Sequence, residues 1–199
     1  MNIFRSVWTE RKVILDEVNP EICRNFESRG WLPLLDVQHP PPAALIREFY
    51  SNLSIHSDDF NIHYVKTWIR GEEFVITREV VATALNVHLV QQPMYPYTEF
   101  PCIHDIMSLL TGTTISRGTD PRITTHKLTK LNYLFFRISC HSIWPISQIH
   151  TSPIKRCAFL YTLITDAPIS FPTLFIRSLV ELHRSSAKSH GFFFPCFYS

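Results

Sequence analysis

The sequence predicts a mainly α-helical protein, a single globular domain with a small β-hairpin at about residues 60–76. Apolar residues recur at a helical period along most of the chain, and strict alternation is confined to that one stretch. Of the 199 residues, 45% are hydrophobic and 13% aromatic, which is enough to bury a sizeable core. We therefore predict about seven helices in a domain of residues 19–199, preceded by an N-terminal arm of residues 1–18.

Residues 128–141 are predicted to form the central helix. Its main apolar face comprises Leu128, Leu131, Leu134, Phe135 and Ile138, and a second apolar edge comprises Tyr133, Phe136 and Cys140. The remaining polar strip is Lys130, Arg137 and His141. Because a helix that is apolar on two sides is buried on two sides, we expect the other elements to pack around this one.

Six further helices are predicted at about 20–29, 42–53, 78–86, 102–110, 153–165 and from 171 to Gly191. Asn19 and Pro20 supply a start signal for the first helix, and Thr77 supplies one for the third. Residues 31–35 are apolar but interrupted by Pro33, so we expect an extended segment there. His183 falls within the apolar arc of the last helix, which favours a hydrogen-bonded core histidine.

The β-hairpin is predicted from a change of period. Phe60, Ile62, Tyr64, Lys66 and Trp68 alternate with the residues between them, and a second apolar run follows at 74–76. Arg70 and Gly71 lie between the two runs, where the turn is expected. Alternation on both sides of a glycine-containing turn is typical of a hairpin.

Charge and cysteine content exclude several classes of protein. Nineteen basic against 17 acidic residues give a net charge of +2, a smaller basic excess than is usual for nucleic-acid-binding domains. The five cysteines are odd in number and scattered, which is typical of reduced thiols. The sequence contains neither a secretory signal nor an apolar run of about 18 residues. We expect an intracellular protein, nuclear or cytoplasmic, that does not bind membranes.

Seven short segments carry a resemblance to a known family. They are RGWLPLL at 29–35, IREFYSNL at 46–53, WIRG at 68–71, PY at 96–97, LTKLNY at 128–133, PISFPTLFIR at 168–177 and HRSS at 183–186. Together, and in this order, they resemble the plant transposon protein domain. The resemblance implies a protein encoded by a plant retroelement or its remnant, truncated at its C-terminus, and it supplies no activity that could be transferred residue by residue.

The sequence contains no recognisable catalytic constellation, metal site or cofactor motif. Cys140, His141, His150 and Cys157 form the densest group of metal-ligating residue types, but their spacing matches no zinc-binding pattern. Asp58, Asp59 and Asp105 do not lie on adjacent strands, as a two-metal nuclease or integrase site would require. We therefore predict neither an enzyme nor a small-molecule substrate, and the nuclease reading is the least favoured alternative.

Binding is the favoured class of function, with two alternatives left open. Arg177, Arg184 and Lys188 on the outer face of the last helix, together with Lys130 and Arg137, are the candidate contacts for nucleic acid. The alternative for Arg177 and Arg184 is an ordinary solvated face on which both lie near Glu181. A protein partner or self-association through the aromatic stretches 95–100 and 192–198 is the rival reading.

Overall fold

The computed structural model describes residue 13 and residues 18–35, 41–59, 62–95, 101–114, 122–144 and 150–185. Within these residues the helices are α1 (Pro20–Ser28), α2 (Leu32–Leu35), α3 (Ala43–Ser51), α4 (Arg78–Ala84), α5 (Ile103–Thr111), α6 (Lys130–Ile138), α7 (Ile154–Ile164) and α8 (Phe171–Ser185). The strands are β1 (Ser54–Ser57), β2 (His63–Ile69), β3 (Glu72–Ile76), β4 (Arg122–Thr124) and β5 (Thr151–Pro153). The mainly helical class with a small hairpin is confirmed. The boundary between residues 18 and 19 stays a prediction.

Local capping chemistry accounts for the first helix. The Asn19 side chain accepts a hydrogen bond from the backbone N–H of Glu21 at 2.8 Å, and Pro20 occupies the first turn. Gly30, with φ +69°, ends the helix. The next segment was expected to be extended and instead forms the single turn α2. Pro33 is compatible with that turn because the first residues of a helix need no intrahelical N–H partner.

Arg29 joins the end of α1 to the turn between α7 and α8. Its guanidinium donates to the carbonyl oxygens of Ala167 at 2.9 Å and Leu163 at 3.3 Å, and to Oδ1 of Asp166 at 3.1 Å. Only 8% of the Arg29 side chain is exposed. One buried cation therefore satisfies carbonyl groups that the end of α7 leaves without intrahelical donors.

The predicted hairpin is the β2–β3 pair of a three-stranded antiparallel sheet with the order β1-β2-β3. Arg70 and Gly71 form its two-residue turn with φ +52° and +84°, as hairpin turns of this length require. On the inner face, the buried Thr67 hydroxyl donates to the carbonyl of Phe49 in α3 at 2.8 Å. Neither β1 nor the short β4–β5 pair was predicted, because strands of three or four residues carry too little alternation.

The central helix differs from the prediction in its extent and its orientation. It ends at Ile138 and continues as a π-helical turn, Ser139–Ile143. Leu134, expected on the main buried face, is 44% exposed, whereas Phe135 and Phe136 are each 2% exposed. The buried side also includes Asn132, whose Nδ2 donates to the carbonyls of Leu109 and Leu110 at 3.1 and 3.0 Å. These two carbonyls belong to the last turn of α5, so Asn132 turns inward to cap that helix.

The two C-terminal helices lie deepest in the domain. More than half of α7 is buried, and its buried residues are Cys157, Ala158, Phe159, Leu160, Thr162 and Leu163. The apolar arc of α8 predicted from helical spacing comprises Phe175, Ile176, Leu179, Val180 and Leu182; the first four are buried, and Leu182 is half-buried against the core. His183 was predicted to be a core histidine and is exposed instead. Tyr95, predicted on an exposed aromatic stretch, is 4% exposed and pairs with Ile169 in an isolated β-bridge.

Candidate interaction surface

The basic residues predicted on the last helix lie at the surface of α8. Arg177 and Arg184 are exposed, and neither has an ion-pair partner among the described residues. Glu181, which is exposed at helical spacing from both arginines, accepts from Nζ of Lys155 in α7 at 2.9 Å. The predicted contact Lys188 lies outside the described residues. Phosphate binding by these side chains stays a prediction.

The second predicted pair lies on α6. Lys130 is exposed at the start of the helix, and Arg137 is half-buried. The Arg137 guanidinium carbon lies 5.9 Å from the centroid of the Tyr133 ring, a distance typical of a cation–π contact. Arg137 therefore has a partner within its own helix, and the two basic groups predicted from the sequence lie on different elements of the fold.

The two thiols of the group considered for metal binding and rejected on its spacing lie in the core. Cys140 and Cys157 are 2% and 1% exposed. Burial raises the pKa of Cys140 to about 12, although the nearby Arg156 guanidinium opposes that shift. A thiol with this pKa is protonated at neutral pH and is a poor nucleophile or ligand. Within the described part of the chain, no group of three or more His, Cys, Asp or Glu side chains could hold a metal ion.

The carboxylates considered for two-metal chemistry lie on separate surface elements. Asp58 and Asp59 are exposed between β1 and β2, and Asp105 is exposed in the first turn of α5. Oδ1 of Asp58 accepts from the backbone N–H of Ile62 at 2.7 Å, a contact that shapes the β1–β2 connection. Each of these aspartates thus occupies a surface turn or helix start.

Exposed apolar side chains concentrate on the β2–β3 hairpin. Among the described residues Trp68 is 50% exposed, Phe74 44% and Val75 42%, and we call these three the hairpin patch. Ile62 and Val80, on either side of it in the sequence, are also exposed. Sequence reasoning missed this surface. The sequence feature that indicates this surface is the unbroken apolar run 74–76. Consecutive strand residues point to opposite faces, and a small domain covers only one face of its sheet, so part of such a run must be exposed.

The outer face of the sheet is electrically balanced. Lys66 and Glu73 approach to 3.7 Å across β2 and β3, while Trp68 lies opposite Glu73 and Val75 lies opposite Lys66. A cleft of about 440 Å³ borders this face, and its charged lining residues are Asp58, Lys66, Arg78 and Glu79. Two acidic and two basic side chains favour a neutral or mixed-charge partner over a run of phosphates.

Several of the residues that carry the family resemblance have structural roles. Arg29 holds the end of α7, Asn132 caps α5, and the Ser170 hydroxyl accepts from the N–H of Thr173 at the start of α8. Trp31 is 2% exposed and packs edge-on against Phe171 with ring centroids 5.7 Å apart. Trp68, half exposed, has no comparable role in the core.

The fold defines the class first: a mainly helical domain with a small antiparallel sheet. Over residues 27–199 the chain matches the family described as Putative plant retrotransposon-related domain. The chain belongs to this family and is a plant retrotransposon-related protein. No curated protein and no solved structure shows significant similarity to it. Among the described residues, no helix is long and apolar enough to span a membrane.

Proposed function

We propose that this domain is a non-catalytic interaction module of a plant retrotransposon-related protein, and that its partner is a protein. The observation that carries the proposal is the hairpin patch, in which Trp68 and Val75 are exposed on the outer face of two paired strands and Phe74 is exposed on the opposite face of the same edge strand. Contiguous exposed apolar surface is typical of protein–protein interfaces, and tryptophan is among the residues that contribute most to them.

The charge distribution supports a protein partner over nucleic acid. The formal net charge is +2, and the cleft beside the patch has equal numbers of acidic and basic side chains. Affinity for nucleic acid depends mainly on clustered lysine and arginine residues that neutralise phosphates. A balanced outer face gives little of that affinity, whereas it is compatible with an interface that has an apolar centre.

A site-specific photo-crosslinking amino acid tests this proposal. The group is placed at Phe74 in the full chain expressed in plant cells, and in a matched control at Leu134. Both side chains are 44% exposed, but Leu134 lies on α6. We expect protein adducts from position 74 well above those from position 134. Equal yields at the two positions, or adducts mainly to nucleic acid, would contradict the proposal.

Nucleic-acid binding is the second candidate function, and it is favoured by the exposed Arg177 and Arg184, which have no acidic partner among the described residues. If nucleic-acid binding is the function, replacing Arg177, Arg184 and Lys188 by alanine lowers the affinity for all nucleic-acid sequences alike. The slope of log affinity against log salt then decreases by up to about three phosphate equivalents. Lys130→Ala and Arg137→Ala test the second pair. If a protein is the partner, these substitutions change little.

The non-catalytic part of the proposal has its own assay. Purified protein is analysed for bound metals and incubated with labelled DNA in Mg²⁺ or Mn²⁺. We expect substoichiometric zinc and intact DNA. Strand cleavage that disappears when a single carboxylate is substituted, for example in Asp58→Asn or Asp105→Asn, would establish metal-dependent catalysis and refute this part.

A further inference from the structure

We propose that the partner at the hairpin patch is a second copy of this chain, and that two copies join through β3 into one six-stranded antiparallel sheet. This inference rests on the proposed function, because it names the protein that the patch binds. It would give the domain a symmetric dimer in which the same strand of each copy meets its counterpart.

The first observation is that the outer edge of β3 is open. Within the described residues β3 pairs with β2 alone. Phe74 and Val75 point to opposite faces of the sheet, yet they are 44% and 42% exposed. An uncovered face would expose only one of the two. Exposure of both indicates an uncovered edge, whose unpaired N–H and C=O groups are available to another strand.

The second observation concerns the registers available to a symmetric pair. In an antiparallel dimer, residues that face each other must project to the same side of the sheet, so the two-fold axis passes through a residue. With Glu73 at the axis, the negatively charged Glu73 side chains of the two copies would lie opposite each other. With Phe74 at the axis, each Glu73 would lie opposite an apolar Val75. The first register brings like charges together, and the second leaves each Glu73 without a charged partner.

With Val75 at the axis, the sequence of β3 is complementary to itself. Glu72 then lies opposite Arg78 of the second copy, at the point where that chain enters α4, and symmetry forms this pair twice. Phe74 lies opposite Ile76 of the second copy, also twice. Arg78 has a contact of 4.0 Å with the exposed Glu79. Such a surface contact contributes little, so it leaves Arg78 able to pair with Glu72 of the second copy.

The same register joins the apolar side chains of the two copies. In the β2–β3 pair Trp68 lies opposite Glu73, which makes it the diagonal neighbour of Val75 on the outer face. A Val75 axis therefore brings the two Val75 side chains together on the outer face, with Lys66 directly beside each valine and Trp68 as its diagonal neighbour in each copy. On the inner face, Phe74 and Ile76 extend the layer that contains the buried Val65 and Thr67.

A charge exchange tests the pairing. Glu72→Arg and Arg78→Glu are each expected to raise the dimer dissociation constant by about tenfold in sedimentation equilibrium, because each reversal alters two symmetry-related pairs. The double variant exchanges the charges within each pair and is expected to restore dimerisation. Glu27→Arg, on the exposed surface of α1, is the matched control, and circular dichroism verifies that every variant is folded.

A cysteine placed at the axis tests the register. Val75→Cys is expected to form a 75–75 disulfide on mild oxidation, because directly opposed residues in a strand pair have suitable separation. Phe74→Cys, one residue away, is expected to form no such link; both variants carry Cys102→Ser to remove an exposed thiol.

Three results would overturn the inference: a protein that stays monomeric at all concentrations, single charge reversals that leave the dimer dissociation constant unchanged, or a folded double variant that does not regain dimerisation. If the 74-position crosslinker still captures another protein in any of these cases, the proposed function stands and only the second-copy inference fails. If position 74 yields no more protein adducts than position 134, the proposed function fails as well.

Discussion

Replacing Arg29 by methionine tests whether the family-defining segment at 29–35 has a structural role. Methionine retains a comparable apolar stem and removes the guanidinium. The partly buried Ala167 carbonyl, 2.9 Å from Nη1 of Arg29, then loses that donor, and an unsatisfied acceptor of this kind costs about 1–3 kcal/mol when water does not replace the donor. The Leu163 carbonyl retains its 2.8 Å bond from Asn25, so its loss is smaller, about 1 kcal/mol. We expect Arg29→Met to lower the free energy of unfolding by about 3 kcal/mol.

Two matched variants separate carbonyl capping from ion pairing. Asp166 is 66% exposed, so its bond to Arg29 contributes little, and Asp166→Asn is expected to cost less than about 1 kcal/mol. Arg24, exposed on the same helix, provides the control for loss of an arginine, and Arg24→Met is expected to change stability by less than about 0.5 kcal/mol.

Urea unfolding followed by far-ultraviolet circular dichroism measures all three variants, and an unchanged m-value would verify that they unfold from comparable states. An Arg29→Met effect below about 1 kcal/mol would refute the structural role. Equal losses for Arg29→Met and Asp166→Asn would show that the ion pair, and not the carbonyl contacts, holds α1 to the α7–α8 turn.

Three further predictions address the core. Phe135→Ala should cost about 3–5 kcal/mol in urea unfolding and its neighbour Leu134→Ala less than about 0.5, and similar losses for the two would contradict the orientation of α6. Asn132→Leu should cost about 2 kcal/mol in the same assay, because the Leu109 carbonyl loses its bond from Asn132 while the Leu110 carbonyl retains the 3.1 Å bond from the backbone N–H of Thr129, and an unchanged midpoint of urea unfolding would refute that cap. Cys102 should react rapidly with an alkylating reagent while Cys140 stays protected until unfolding, as peptide mass spectrometry can measure. The pKa of Cys140 is raised to about 12 in the folded state, against about 8.5 when unfolded, so its contribution to stability is complete below pH 8.5 and decreases as pH rises towards 12. Cys140→Ala should reduce that alkaline loss, and an identical pH profile would contradict it.

Helix positions were predictable where the determining chemistry is local. Asn19 and Pro20 start α1 and Thr77 accepts from the N–H of Val80 at the start of α4, both from signals within four residues. The strands β1, β4 and β5 were not predictable in the same way. β4 and β5 are stabilised by pairing with each other across a long stretch of chain, β1 pairs with the following strand β2, and three or four residues do not define a period.

The orientation of α6 was mispredicted for a different reason. A helix with apolar residues on two sides has no unique buried face in its own sequence, so its neighbours decide which side turns inward. Asn132 decides it here, because its amide reaches two carbonyls at the end of α5, more than 20 residues earlier in the chain. Asn132, which belongs to neither of the predicted apolar faces, is part of the buried side, and Leu134 points outward.

The candidate site depended even more on distant contacts. Glu181 has the basic neighbours Arg177 and Arg184 at helical spacing, and its ion-pair partner in the structure is Lys155 of α7. No rule of spacing within one helix can foresee a partner on another. The hairpin patch was closer to being predictable, since Phe74, Val75 and Ile76 are consecutive and apolar in a strand of a small sheet.

The family resemblance and the candidate surface give different kinds of information. Arg29, Trp31, Asn132 and Ser170 act on backbone groups or pack in the core, so they specify how the domain folds without specifying what it binds. Trp68 belongs to the same set of segments, but half of its surface remains exposed on a sheet whose neighbouring charges cancel. A large apolar side chain in that position contributes far less to stability than a buried one, whereas it can contribute strongly to an interface. The place where this fold leaves an aromatic side chain uncovered is therefore where its interaction with another chain is most reasonably sought.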